Sequence, residues 1–227
     1  MATTGYVADL LRTYIDEPDQ TFVNTDRLVK FLQVGYQEFR YQAMQVDPNI
    51  FATTAAYELT DASQLDLASA VPAGAATPII GSSAVAGSQL EMLVSLYTQD
   101  ATSSAPAMVY SQTQSLEGLR SSGSSFLFTD GIIMFPYRVS GSFRVVYVPS
   151  ASVDWSLAAG FIDNLTLFHD LIALYSYKQY SIMDAAENGP LVGQLGKREQ
   201  EMRYYLNSRS TGGANYVQDV SSNRYLT

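Results

Sequence analysis

The chain has 227 residues and no cysteine, which excludes a disulfide framework and thiolate chemistry. Hydrophobic residues make up 47% and charged residues only 15%, as in a folded protein rather than a disordered one. The net charge of −9 excludes a protein that grips nucleic acid, because such binding depends on the neutralisation of phosphates.

The low charge leaves a surface of uncharged polar residues and tyrosines, of which there are 16. Tyrosine is enriched at protein interfaces, so this count favours an oligomer or assembly protein over a monomer with half-buried tyrosines at its rim. No basic and apolar leader opens the sequence, and no apolar run reaches the roughly 20 residues of a membrane span. We therefore expect neither a signal peptide nor a transmembrane helix.

Two helices are predicted in residues 1–50, a shorter one at 4–15 and a longer one after Asn24. Asn24 can cap the longer helix, and Asp47-Pro48 ends it. Its apolar side recurs at helical spacing, so one face is expected to pack on a core. The positions of that face are Leu28, Leu32, Gly35, Tyr36, Phe39 and Ala43.

Residues 56–150 have the pattern of β-strands. Asp130-Gly131 lies between two apolar runs and predicts a two-residue hairpin turn. Ser140-Gly141 predicts the next reversal, and hence a three-stranded antiparallel meander. The stretch 73–88 is rich in glycine, serine and alanine and holds no lysine or arginine, which favours a surface loop over a phosphate-binding loop.

Helical spacing returns at Phe161 and continues to about Arg209, with a break at Gly189-Pro190. The first of these two helices is apolar over most of its surface, so it is expected to lie centrally.

The predicted fold class is α+β. The helices of residues 1–50 and 155–209 are expected to form a helical bundle, into which the antiparallel β region of 56–150 is inserted. Residues 1–209 would then be a single domain, and residues 210–227 an extended C-terminal tail.

Few side chains point to catalysis. The only histidine, His169, could act as a general base, but a structural histidine bonded to a neighbour such as Asp170 is favoured, since a catalytic histidine needs a nucleophile and an orienting group. The carboxylates in turns or near helix starts form no metal-ligand spacing. They are Asp61, Asp66, Asp130, Asp163 and Asp170. We expect no catalytic residue, no metal and no cofactor.

The tail, residues 210–227, follows the last element that the core requires. Gly212-Gly213 releases the backbone, and the apolar residues after it have spacings that predict no single amphipathic helix. Such a segment is either a disordered end or binds another copy or another protein. The residues predicted to bind a partner are Tyr216, Val217, Val220, Arg224, Tyr225 and Leu226.

Three stretches resemble the adaptor proteins of tailed bacteriophages, which are also called head-completion or head-tail connector proteins. They are "DEPDQTFVNTDRLVKFLQVGYQEFRYQA", "SGSFRVVYVPSAS" and "FIDNLTLFHDLIALYSYKQYSIMDAAEN". The last contains the family's His-Asp pair at His169 and Asp170. The long loop at 70–88 departs from the family's pattern, and Phe161-Ile162 stands where the family often has a proline.

This resemblance implies a structural virion protein at the head-tail interface, assembled in the host cytoplasm and without enzymatic activity. It would form a homo-oligomeric ring of about twelve copies between the portal protein and a tail or neck protein. DNA would pass through the ring, repelled by its acidic charge. The tail, residues 210–227, would dock on the portal or on a neighbouring subunit.

Two other interpretations stay open. A tail terminator or neck protein is also structural, although its β-dominated fold suits the long terminal helices poorly. A hydrolase acting on a cell-surface polymer would use carboxylates of the β region. A native mass measurement separates a ring from a monomeric enzyme.

Overall fold

The computed structural model describes most of the chain, and the described residues form five α-helices and five β-strands. The described residues are 3–16, 23–75, 79–80, 90–99, 106–151, 153–156, 158–184 and 189–222, with the backbone alone at 184, 189–190 and 210–222. The helices are α1 (Thr4–Tyr14), α2 (Thr25–Val46), α3 (Leu116–Ser121), α4 (Asp170–Asp184) and α5 (Gly189–Ser222). The strands are β1 (Thr53–Asp66), β2 (Leu90–Gln99), β3 (Pro106–Thr113), β4 (Ser125–Thr129) and β5 (Ile132–Pro149).

These elements form two compact units. The helical unit comprises Met1–Asp47 with Val153–Thr227, and the β unit comprises Pro48–Ser152. The α+β class is therefore right, but the predicted helical bundle with an inserted sheet is wrong, because the strands build a barrel with a core of its own. The predicted limits of one domain at 1–209 stay a prediction.

The helical unit is built on α2 and α4. Asn24 Oδ1 accepts a hydrogen bond from the Arg27 N–H at 3.0 Å, which confirms the predicted cap of α2. α2 and α4 run antiparallel, since Phe31 contacts Tyr180 near one end and Phe39 contacts His169 near the other. The core of this unit therefore lies along the α2–α4 contact.

α4 begins at Asp170 and not at Phe161, where the helical spacing begins. Between these two residues the chain is irregular apart from one 3-10 turn, Thr166–Phe168. The carboxylate of Asp163 accepts the Leu165 N–H at 2.8 Å, and such a local hydrogen bond competes with the helical pattern. The prediction of a helix from Phe161 is therefore wrong at its start.

The β unit closes on itself. The strand order is β1-β5-β2-β3-β4, and β5 also pairs with β4, so four strands form a closed barrel and β1 pairs with β5 as a fifth strand. β3 and β4 pair in parallel and are connected through α3, whereas the other pairs are antiparallel. The largest buried side chains of this barrel include Phe126, Phe143, Leu67, Leu96 and Ile133.

The predicted hairpin turn between β4 and β5 is confirmed. Asp130 and Gly131 have φ angles of +51° and +81°, and they connect the paired residues Thr129 and Ile132. Positive φ at both central residues defines the turn type whose twist matches that of the strands.

The predicted reversal at Ser140-Gly141 is wrong, because β5 continues through it to Pro149. Ser140 instead accepts the Asp61 N–H at 2.8 Å through its hydroxyl, at the place where β1 bulges and its register with β5 shifts. The glycine therefore serves a bend within a long strand, and there is no three-stranded meander.

α5 extends to Ser222 and not to Arg209, so the predicted extended conformation of the tail is wrong for residues 210–222. Gly212-Gly213 does not end the helix. A glycine inside a helix costs only about 1 kcal/mol relative to alanine, and adding one residue to an existing helix is much easier than starting a new one.

Replacement of Gly131 by valine should lower the free energy of unfolding by about 2–3 kcal/mol, because a β-branched residue is strained at a positive φ. The matched control is Gly193→Val, since Gly193 lies in α5 without a positive φ and an added Cβ there meets nothing within 4 Å. Urea unfolding measures both variants. Equal losses would show that the positive φ at Gly131 does not cause the loss.

Candidate interaction surfaces

His169 and Asp163 form a buried pair in the helical unit. Nε2 of His169 lies 2.7 Å from Oδ1 of Asp163, and the two side chains are 1% and 9% exposed. These two atoms are within hydrogen-bond distance. The partner of His169 is thus Asp163, and not the adjacent Asp170 that the sequence suggests.

Aromatic and cationic side chains surround this pair. The ring of Phe39 lies edge-on to the imidazole of His169, with 6.2 Å between the ring centroids. The rings of Tyr36 and Trp155 also pack edge-on, with 6.1 Å between their centroids. Burial and then the charge of Asp163 raise the pKa of the Tyr36 hydroxyl above its ordinary value, while Arg40 opposes this shift. The cluster is closed to solvent, which suits a role in holding the irregular segment after Asp154 against α2.

Asp170 is engaged elsewhere, in the contact between α4 and α5. The guanidinium of Arg198 donates to both of its carboxylate oxygens at 2.6 and 2.7 Å, and to the Leu167 carbonyl at 2.8 Å. These hydrogen bonds raise the pKa of Arg198. A two-oxygen contact of this kind specifies geometry as well as charge, so it sets how α5 lies on the start of α4.

The carboxylates of the β unit serve its turns. Asp66 accepts the Ala68 N–H at 2.9 Å, and this hydrogen bond lowers the pKa of Asp66. Asp61 pairs with Arg138 at 2.8 Å on the surface, and Asp130 lies in the β4–β5 turn. The described contacts of Asp66 and Asp61 are thus structural, and Asp130 is a residue of the turn.

An open cleft of about 350 Å³ lies beside α1. Its described lining residues are Asp9, Arg12, Thr13 and Asp16. Nη1 of Arg12 is buried there and has no hydrogen-bond partner. The two carboxylates and the guanidinium give the described lining of the cleft mixed charge.

Large apolar side chains are exposed on the helical unit. Two of them lie near the end of α4 and one near the start of α5, with exposed fractions of 66% for Ile182, 64% for Met183 and 52% for Val192. The sequence does not reveal this group, because α4 is apolar on most sides and only packing decides which of its sides stays in solvent.

The C-terminal half of α5 extends past the helices on which α5 packs. Tyr205 contacts Phe168, which precedes the first residue of α4, and Arg203 donates to Gln42 near the end of α2. From Tyr205 the helix continues to Ser222, which at 1.5 Å per residue is about 25 Å further. Its last described buried side chain is Leu206.

Three of the predicted partner-binding residues, Tyr216, Val217 and Val220, belong to this part of α5. The prediction that the apolar residues of the tail suit no single amphipathic helix includes Tyr225 and Leu226, and it stays a prediction. The other three, Arg224, Tyr225 and Leu226, lie outside the described residues.

No protein-family model matches the sequence, and no curated protein is significantly similar to it. The resemblance to phage adaptor proteins thus depends on the three quoted stretches alone. In the part of the chain that the structure describes, no helix is both long and apolar enough to cross a membrane. Among the same residues, no three histidine or carboxylate side chains come together as a metal site would require.

Proposed function

We propose that this chain is a structural bacteriophage virion protein, a head-tail connector adaptor. Copies of it form a ring of about twelve below the portal protein, join the head to a tail or neck protein, and let DNA pass through the channel. The C-terminal half of α5, together with residues 223–227, is the part that binds a partner in the assembly.

The observation that carries this proposal is the length of α5. A helix that continues about 25 Å past the helices supporting it gains no packing from them there, and a short helix is marginal in water by itself. Contact with a partner protein in an assembly would supply the packing that this end of the helix lacks. The exposed apolar side chains of the helical unit support the same conclusion.

The net charge of −9 agrees with a channel role. An acidic ring repels phosphates, so DNA slides through it without being held. The resemblance in sequence supplies the identity of the assembly, which charge and helix length alone do not specify.

Deletion of residues 210–227 should abolish head-to-tail joining while leaving thermal stability nearly unchanged. Among the side chains of α5 that the structure describes, the buried apolar ones are Leu195, Met202 and Leu206, and the truncation keeps all three. Joining is measured by complementation of tail-less heads, and portal binding by co-purification. The matched control is Gly212→Ala with Gly213→Ala, which keeps every predicted contact residue and strengthens the helix. A truncated protein that unfolds, or one that still joins heads to tails, would contradict the proposal.

A further inference from the structure

Few apolar side chains hold α5 on the helical unit. Among the residues of α5 whose side chains the structure describes, the buried apolar ones are Leu195, Met202 and Leu206. At 100° per residue they fall within an arc of about 40° around the helix. Apolar contact is not directional, so this narrow stripe keeps α5 in place without fixing the angle at which the helix lies.

Arg198 adds a contact that has a direction. Its Nε and Nη2 atoms donate to the two carboxylate oxygens of Asp170 at 2.6 and 2.7 Å, and Nη2 also donates to the Leu167 carbonyl at 2.8 Å. The guanidinium carbon lies 5.2 Å from the centroid of the Phe168 ring. A planar fork that meets a carboxylate, a carbonyl and a ring at once accepts one orientation only.

The residues that receive Arg198 are themselves held in place. Phe168 is buried, and its N–H donates to the Leu165 carbonyl at 3.0 Å. The next residue, His169, is paired with the buried Asp163, and α4 begins directly after it. Arg198 therefore connects α5 to a fixed point of the helical unit.

The other described polar contacts of α5 with α4 and α2 restrict its angle less. Tyr175 donates one hydrogen bond to Glu199, and Arg203 donates one to Gln42. A single hydrogen bond between two side chains tolerates a broad range of angles. Among the described contacts, the direction of α5 thus depends most on the fork of Arg198.

This direction matters because α5 is long. Between Arg198 and Ser222 the helix rises about 36 Å, at 1.5 Å per residue. A tilt of about 10° at Arg198 would therefore move the backbone at Ser222 by roughly 6 Å. Packed side chains touch at about 4 Å, so a shift of that size would misplace the end of the helix against any partner.

We propose that Arg198 is a positioning residue, whose fork on Asp170 determines where the C-terminal half of α5 points in each subunit. The inference rests on the proposed function, since that half is the part of the chain proposed to bind a partner. It names a residue outside the partner-binding segment on which assembly depends.

Arg198→Lys tests the fork, because lysine keeps the charge and an apolar stem but donates from a single point. Arg203→Lys is the matched control on the same helix. Spin labels are attached to Gln33→Cys on α2 and Ser208→Cys on α5, both exposed positions in a chain without other cysteines. With Arg198→Lys the distance distribution between the labels should shift or broaden by about 3 Å, since a tilt of about 10° acts over roughly 15 Å of helix. Arg203→Lys should leave the distribution unchanged.

Asp170→Asn tests the other side of the contact. Alone it should move the labels as Arg198→Lys does, and the double variant should move them no further, because both changes remove the same contact. Circular dichroism and thermal unfolding confirm that each variant is folded and that α5 stays helical. Label distances that stay unchanged in the folded variants overturn the inference.

Head-to-tail joining is measured with the same variants without labels. It should fall about tenfold or more with Arg198→Lys and stay within about twofold with Arg203→Lys. Normal joining by a variant whose labels have moved shows that assembly does not need the direction of α5, which also overturns the inference. The label distances are measured on the free chain, so they test Arg198 apart from the proposed function. Failure of the unchanged chain to join heads to tails overturns the proposed function, while moved labels still support Arg198 as the residue that directs α5.

Discussion

Replacement of Gly35 by alanine should lower the free energy of unfolding by about 2–3 kcal/mol, because α2 and α4 cross at this residue without room for a side chain. A Cβ atom at Gly35 would lie 2.1 Å from the Ser176 hydroxyl, 2.6 Å from the Ile172 carbonyl oxygen and 2.8 Å from the Ser176 nitrogen. The hydroxyl could rotate away, but the two backbone atoms cannot. The helices would have to separate along the core of the helical unit.

The matched control is Gly196→Ala, since Gly196 lies inside α5 and an added Cβ meets nothing within 4 Å. That change should stabilise the protein by up to about 1 kcal/mol through helix propensity alone. Both variants replace glycine by alanine. Opposite signs of their changes in the free energy of unfolding would therefore be due to the close crossing of α2 and α4. Thermal unfolding should show a fall in Tm of roughly 5–10 °C for Gly35→Ala. Equal stability of the two variants would contradict the close crossing.

Replacement of Asp163 by alanine is expected to cost about 2–4 kcal/mol, because it leaves the buried His169 without its partner. The same change removes the acceptor of the Leu165 N–H, which holds the segment before α4 out of a helical conformation. Asp163→Asn keeps this acceptor and should cost less. A double-mutant cycle with His169→Phe measures the coupling within the pair, expected at about 1–3 kcal/mol.

Asp154→Ala is the control for the local turn. Asp154 also accepts the N–H of the residue two positions later, Ser156, but it is exposed and has no histidine partner. Its replacement should change stability little. Additive losses for Asp163 and His169 would show that the pair does not act as a unit.

Local sequence signals were enough to predict the structure where a hydrogen bond or a backbone angle within a few residues determines it. The sequence by itself determined the cap of α2 at Asn24, its end before Asp47-Pro48, and the β4–β5 turn at Asp130-Gly131. Each is a matter of short-range geometry, in which a capping side chain, a proline or a positive φ favours one structure. The α+β class follows from the same periodicities.

Where a distant partner decides, the sequence predicted the wrong structure. Gly141 is typical of a turn, yet β5 passes through it because Ser140 bonds to Asp61 across a bulge 79 residues away. The barrel closes through the parallel pairing of β3 with β4, and no sequence pattern within either strand predicts this pairing. For this reason the strands have a core of their own and are not a sheet inserted into a helical bundle.

For the candidate interaction surfaces, too, the sequence determined one part and the tertiary structure the other. The apolar residues at 216–220 were identified from the sequence, but only the structure shows that their backbone is helical. The exposure of Ile182 and Met183 had no signature in the sequence, since both belong to the same apolar helix as the fully buried Leu171 and Ile172. Burial depends on which neighbours cover a side chain, and that is a property of the tertiary structure. The sequence therefore determined which residues are apolar, and the packing of α2 and α5 on α4 decided which of them remain available to a partner.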